Sequence, residues 1–381
     1  MDWKENSMIE WLELGKFAIV QKTKNKKHVT ENAYSITQAG LVPTKSFFKE
    51  KTNVTSGNTS GYYIVEKNWF VYSPSRIDVG SISYLKDEGP VIVSPIDVVF
   101  SIDINKCLPS YLLNYFFTYD GKKALLKNRE GVEGMGRRNL PFDAIKSVLV
   151  PLPSLSEQTR IVGILDTFTA AIENLKQQIA ERRRQYEHYR DELLDLEGKE
   201  GVEMKMIEEI TKRNKGIPIT AEQMSELASI NGNIRVFAAG ATIADIDEDD
   251  LPKNCAHRLP SVIVKSRGHV DFEFYEKPFT HKNEMWSYSF ESKEKAKYLY
   301  YFLKTKTDYF RNKAKTNSVK LPQLCVADTD KYKVPVPSHE EQSHIVSILD
   351  TFEASITNLE AQLKEREKQY EYYRNKLLTF E

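Results

Sequence analysis

Two stretches of this chain set apolar residues at alternating steps of four and three. The first runs Ile161, Leu165, Phe168, Ile172, Leu175, Ile179, Arg182, Tyr186, Tyr189 and Leu193. The second runs Ile345, Leu349, Phe352, Ile356, Leu359, Leu363, Arg366, Tyr370, Tyr373 and Leu377. A sustained mean period of 3.5 marks helices that pack along one another, because a helix lying on a core repeats at 3.6. These residues are therefore the expected packing seam. Each stretch opens on S-x-x-E, Ser154 to Glu157 and Ser338 to Glu341, in which the serine caps a backbone N–H and the glutamate returns the bond. Pro151, Pro153, Pro335 and Pro337 just upstream favour extended backbone and discourage an earlier helix start. Each helix of about 40 residues should span roughly 60 Å at ~1.5 Å per residue.

The two stretches are copies. Residues 150–197 and 334–381 align without a gap, with about 28 of 48 positions identical. A weaker echo, Ile9-Glu10-Trp11-Leu12 and Val202-Glu203-Met204-Lys205, opens the segment ahead of each copy. The chain thus reads as a tandem: a globular segment over 1–149, a helix over 150–197, a second globular segment over 198–333, and a second helix over 334–381. Since one chain supplies both helices, they are expected to form an antiparallel intramolecular coiled coil, giving a pseudo-twofold object with a globular segment towards each end. The alternative is that each helix pairs in a second chain. Arg182 and Arg366 interrupt the seam at the same place in both copies, where an antiparallel pair would set them near Leu359 and Leu175. Their stems can cover the seam while the guanidinium reaches water, or they can act as a register device.

Between the helices the pattern is mixed. Strand-like runs (Val91–Val93, Val98–Ile102, Val262–Val264) alternate with helical ones (Ser110–Phe117, Lys293–Leu303), which predicts two α+β domains. Net charge is +0, yet the balance alternates: about 20 basic against 16 acidic groups over 1–149 and about 23 against 20 over 198–333. The two helix copies reverse it, with about 6 against 9 and 5 against 9. No apolar run reaches the ~18–20 residues of a membrane helix, the N-terminus lacks a signal-peptide core, and Cys107, Cys255 and Cys325 lack close spacing. Cytoplasm, without a membrane, is the expected compartment.

Two dissimilar globular segments, each closed by V-P-x-P-S-x-x-E-Q-x-x-I-V-x-I-L-D and a long helix, resemble the specificity subunit of a type I restriction–modification enzyme over the whole chain. Phe70-Val71-Tyr72-Ser73-Pro74-Ser75-Arg76-Ile77 and Val93-Ser94-Pro95 resemble one type of first target-recognition domain. Lys265-Ser266-Arg267-Gly268 and Glu276-Lys277-Pro278-Phe279 resemble a different type of second domain. The resemblance implies a chain without catalysis of its own that reads a bipartite, asymmetric site on double-stranded DNA. It further implies two methyltransferase subunits docked on the helices, and restriction–translocase subunits in the complete enzyme. S-adenosylmethionine, ATP and Mg would be used by those partners, with no cofactor in this chain. The competing reading is a coiled-coil scaffold whose globular segments bind protein or carbohydrate.

A DNA reader needs cations for phosphates and a few polar side chains for base edges. Basic clusters lie where loops are expected: Lys22, Lys24, Lys26 and Lys27, then Lys45, Lys49 and Lys51, followed by the polar stretch Ser56–Tyr62. Arg137, Arg138 and Asn139 precede the first helix, a combination suited to guanine and adenine edges. Their counterparts in the second segment are Lys313, Lys315, Asn317 and Lys320. Arg76, Lys212, Arg213, Lys265 and Arg267 complete the candidate set. The chain has no phosphate-binding G-x-x-x-x-G-K-[ST] and no N-P-P-Y-like run of an amino-methyltransferase. Asp97, Asp103 and Lys106 have the wrong spacing for a nuclease. Cys255, His257, His269 and His281 form no second close pair, so no metal site is expected.

Overall fold

The computed structural model describes residues 9–47, 58–127, 140–317 and 320–380. Lys49, Lys51, Arg137, Arg138 and Asn139 of the candidate set lie outside the described residues. The chain divides into two compact units, Met1–Lys176 with Ala361–Glu381, and Gln177–Glu360. Each unit therefore contains the start of one long helix and the end of the other.

In the first unit, a four-stranded antiparallel sheet runs in the order Ala18–Gln21, Val98–Ile102, Phe70–Tyr72, Ile82–Tyr84. Two smaller pairs, Tyr34–Thr37 with Gly40–Pro43 and Tyr63–Val65 with Val91–Val93, stand beside it. Helices Pro109–Phe116 and Tyr119–Lys127 follow the last sheet strand. The core gathers Phe70, Tyr72 and Phe100 from the sheet with Tyr111, Leu112 and Phe116 from the helix. Ile161 and Leu165 of the first long helix, and Leu377 and Leu378 near the end of the second, are buried in the same cluster.

The second unit repeats the plan with different residues. Its four-stranded sheet runs Lys212–Lys215, Trp286–Ser289, Ser261–Lys265, Asp271–Tyr275. Helices Lys293–Thr305 and Thr307–Asn317 pack with it, and Leu194, Ile345, Val346 and Leu349 of the long helices join that core. A three-stranded sheet, Ile243–Ile246, Ile234–Phe237 and Phe279–His281, carries a separate small core around Met224, Val236 and Ile246. The runs read from sequence as Val91–Val93, Val98–Ile102 and Val262–Val264 are strands, and the two helical runs are helices.

The long helices are Leu155–Leu194 and His339–Leu378, 40 residues each. Ser154 and Ser338 cap them through Glu157 N and Glu341 N, at 3.3 and 3.1 Å. Glu157 turns its carboxylate to Arg160 at 2.6 Å, so its half of the expected box is spent on an ion pair. The duplicated glutamine after the box is buried in both copies and locks the approach to the helix. Gln158 donates to the carbonyls of Pro153 and Lys106 and accepts from Leu108 N, all at 2.9 Å. Gln342 donates to Pro337 O at 2.9 Å. Pro151 and Pro335 lie in short strands, Leu149–Leu152 and Lys333–Val336, with Pro153 and Pro337 just beyond them, and the faint opening echo of each segment is the partner strand: Trp11 faces Pro151 and Met204 faces Pro335. Two tyrosines finish the joint, Tyr111 donating to Pro151 O at 2.7 Å and Tyr298 to Pro335 O at 2.8 Å.

Within each unit the helix segments run antiparallel, with partners from the same chain. In the first unit the ring of Phe168 stacks on Tyr373, 5.3 Å between centroids at 29°. In the second Phe352 stacks on Tyr189 at 5.5 Å and 29°. The seam arginines finish against aromatic faces: Arg366 lies 5.8 Å over Phe168, and Arg182 lies 5.7 Å over Phe352. The register of those two ring pairs sets Arg182 level with Leu359 and Arg366 level with Leu175, as the spacing predicts. From there the long stems carry the cation one heptad along the partner, to the negative face of a ring.

Candidate nucleic-acid interface

In the first unit the strand Ala18–Gln21 runs into a loop that carries Lys22, Lys24, Lys26 and Lys27, all exposed. The loop is built on Asn25, which is 0% exposed. Its backbone N–H donates to Tyr62 O at 2.9 Å, its amide donates to Thr30 O at 2.9 Å, and its Oδ1 accepts from Val29 N at 2.8 Å. Ile64 N donates to Thr23 O at 2.9 Å, so the described end of the polar stretch, Asn58–Tyr62, is laced to the lysine loop. Among the described residues, none of these four lysines forms an ion pair. Lys45 is exposed on the short helix Thr44–Phe47. Arg76 is exposed on a turn whose Pro74 carbonyl accepts from Leu140 N at 3.0 Å, which brings it next to the residue that follows Asn139.

In the second unit Arg267, Lys313, Lys315 and Lys320 gather around one set of hydrogen-bonded segments. Gly268, in the left-handed region at φ 74°, donates to Pro322 O at 2.9 Å, and Gln323 N donates to Ala314 O at 3.2 Å. All four cations are exposed. Asn317 instead ties that cluster together, donating to Asp328 at 2.7 Å and to Gln323 O at 3.2 Å. Lys212 is exposed. Lys265 pairs with Glu273 across the sheet at 2.6 Å. Arg213 pairs with Asp330 at 3.2 Å, and Asp330 also accepts from the buried Tyr288 hydroxyl at 2.6 Å. The candidate cations thus divide into exposed residues without an ion-pair partner among the described residues and residues already engaged in the fold.

Sequence reasoning missed Asn25, whose type is ordinary in a polar loop and whose partners include Tyr62, remote in the sequence. It also missed His28, which follows the lysines with φ 50°. Among the described residues, no group of three or more His, Cys, Asp or Glu is placed to hold a metal ion. His257 and His281 are ring neighbours at 5.5 Å, but His281 is fully buried against Ser287, with burial and the nearby His257 pushing its imidazole down to about 4. Among the described residues, no helix is long and apolar enough to cross a membrane.

Each of two different α+β units, closed by the same strand–helix joint, carries a cluster of exposed cations, on a loop in the first and on a helix end with its adjoining loops in the second, where Lys313 and Lys315 lie within Thr307–Asn317 rather than on the expected loop. The family model for the type I restriction modification DNA specificity domain matches residues 6–182 and again 199–368. The chain belongs to this family. It is 27% identical over 409 aligned residues to the specificity subunit of the type I restriction enzyme EcoR124I/EcoR124II of Escherichia coli, covering 98% of this chain and 94% of that one. The crystal structure of a type I restriction–modification S subunit from M. genitalium superposes with a TM-score of 0.62 at 16% identity, over 100% of this chain and 99% of that one. A chain from a structure concerned with assembly and conformational transition of the type I R-M system superposes at 0.59 and 14% identity, over 99% and 98%. The fold is that of type I specificity subunits, and the scaffold reading finds no support among these relatives. A specificity subunit contributes recognition, not catalysis.

Proposed function

We propose that each unit reads one half of a bipartite DNA site and that the duplicated helices hold a constant gap between the halves. The observation that carries this is the double match of the specificity-domain model, once to each unit, with free exposed cations clustered in both. Cations without carboxylate partners are available to neutralise phosphates, and the polar side chains among them can meet base edges. Methyl transfer with S-adenosylmethionine, and ATP- and Mg-dependent translocation and cleavage, fall to partner subunits.

The helical pair supplies the docking surface in this reading. In the first unit an open groove of about 790 Å³ is lined by Ile164, Phe168, Glu365, Arg366, Tyr373 and Leu377, among others. The repeat places Ile348, Phe352, Glu181, Arg182, Tyr189 and Leu193 at the same positions in the second unit. The globular parts have diverged and these positions have not, which fits two copies of one methyltransferase. Reversing a rim charge tests it: Glu365→Lys or Glu181→Lys should leave one methyltransferase per chain by native mass spectrometry, and the double substitution none. Full occupancy in the double variant contradicts the docking site. Sequence-specific, salt-sensitive DNA binding should appear only with the methyltransferase bound, so tight specific binding by the isolated chain would also contradict the proposal.

A further inference from the structure

The lysine loop of the first unit presents an exposed side chain on a fixed and unfavourable backbone. His28 is exposed and sits at φ 50°, in the left-handed region where a side chain costs energy and glycine does not. Its backbone is fixed, its N–H donating to Asn25 O at 3.0 Å. Asn25 is in turn held by Tyr62, Val29 and Thr30 with no exposed surface. A buried polar keystone whose side-chain nitrogen and oxygen are both hydrogen-bonded, supporting an exposed residue in an unfavourable backbone state, is the pattern of a positioned contact rather than of a loose loop.

Resting on the DNA-reading function above, we infer that His28 contacts a base edge in the half-site read by the first unit, with Asn25 as its positioning residue and Lys24, Lys26 and Lys27 on flanking phosphates. The division of labour follows from the side chains. Lysine is a flexible point charge suited to phosphate at any sequence, whereas imidazole on a fixed backbone offers a ring nitrogen at one place, which sequence discrimination needs. Among the described residues no carboxylate pairs with these lysines, so they remain available to phosphate.

The test uses the complex with methyltransferase, mapping methylated sites genome-wide and measuring binding to the mapped site. His28→Gly removes the ring and relieves the backbone, so the thermal midpoint should hold or rise. One position of one half-site should lose at least about fivefold discrimination while the other half-site is unchanged. Asn25→Ala should weaken the same half-site by about tenfold, as a lost polar anchor does. Lys26→Ala should lower affinity equally on all sequences and reduce the salt slope by about one. A full, undegenerate motif in His28→Gly overturns the inference, and so does Asn25→Ala with wild-type affinity. A wild-type complex that methylates no two-part motif instead defeats the DNA-reading function itself.

Discussion

Buried ionisable residues give the two units opposite responses to acid. His281, fully buried, has its imidazole pushed down to about 4 by burial and by His257, so the unfolded chain binds more protons between pH 6.5 and 4. The second unit therefore loses stability as pH falls through that window, by at most about 1.4 kcal/mol per pH unit. Asp97 in the first unit is 8% exposed and burial alone pushes its carboxyl up to about 7. There the folded state holds the proton that the unfolded chain has released, so stability is highest below pH 4 and declines as pH rises to 7. Hydrogen exchange at pH 5 against pH 7 should show Val262–Tyr288 less protected in acid, with the peptides around Asp97 moving the other way. Asp97→Asn should abolish the second effect. Neither shift was legible in the sequence, where Asp97 lacked a nuclease's spacing and His281 a close metal-ligand pair: burial comes from strands remote in the chain, and periodicity does not report it.

At the scale of elements, the repeat carried most of the information. The long helices, their serine caps and their antiparallel pairing follow from spacing and from the identity of the two copies. What spacing could not show is how each helix is anchored. Tyr111 and Tyr298 each give a buried hydroxyl to the carbonyl of a strand proline, and replacing either by phenylalanine leaves that carbonyl short of a partner. Each Tyr→Phe change should cost about 1–3 kcal/mol in denaturant unfolding. The seam arginines are a contrasting case. A guanidinium over a ring at a partly exposed site contributes about 0.5–1 kcal/mol. Leu349, Leu377 and Leu378 are buried in the unit cores at about 1.5–3 kcal/mol each. The cores therefore fix the register and the arginines only reinforce it. Replacing Arg182 and Arg366 together by leucine should shift stability by less than about 2 kcal/mol and leave cysteine crosslinks between facing seam positions unchanged. A mixture of crosslink registers would assign the register to the arginines.

For the whole molecule, the informative feature is that each recognition unit is completed by a distant piece of chain. The end of the second long helix is buried in the core of the first unit, and the end of the first long helix in the core of the second. Sequence segments cut at the repeats therefore do not coincide with the compact units, because burial of Leu377 and Leu378 beside Phe70 and Leu112 is a contact between opposite ends of the chain. In the same way the repeated helices were plain in the sequence, whereas the loop cations were only a list. Distinguishing free Lys24 and Lys26 from Lys265 and Arg213, which are held by Glu273 and Asp330, required the cross-strand partners. The account predicts that what is read and how far apart it is read are separable properties. The direct measurement is to insert one heptad into each long helix, between Ile172 and Tyr186 and between Ile356 and Tyr370, and to map methylated sites in cells carrying the methyltransferase. Both half-site sequences should persist while the gap between them lengthens by about three base pairs, one heptad of helix being about 10 Å. An unchanged gap, or half-sites that change their sequence, would contradict the central claim.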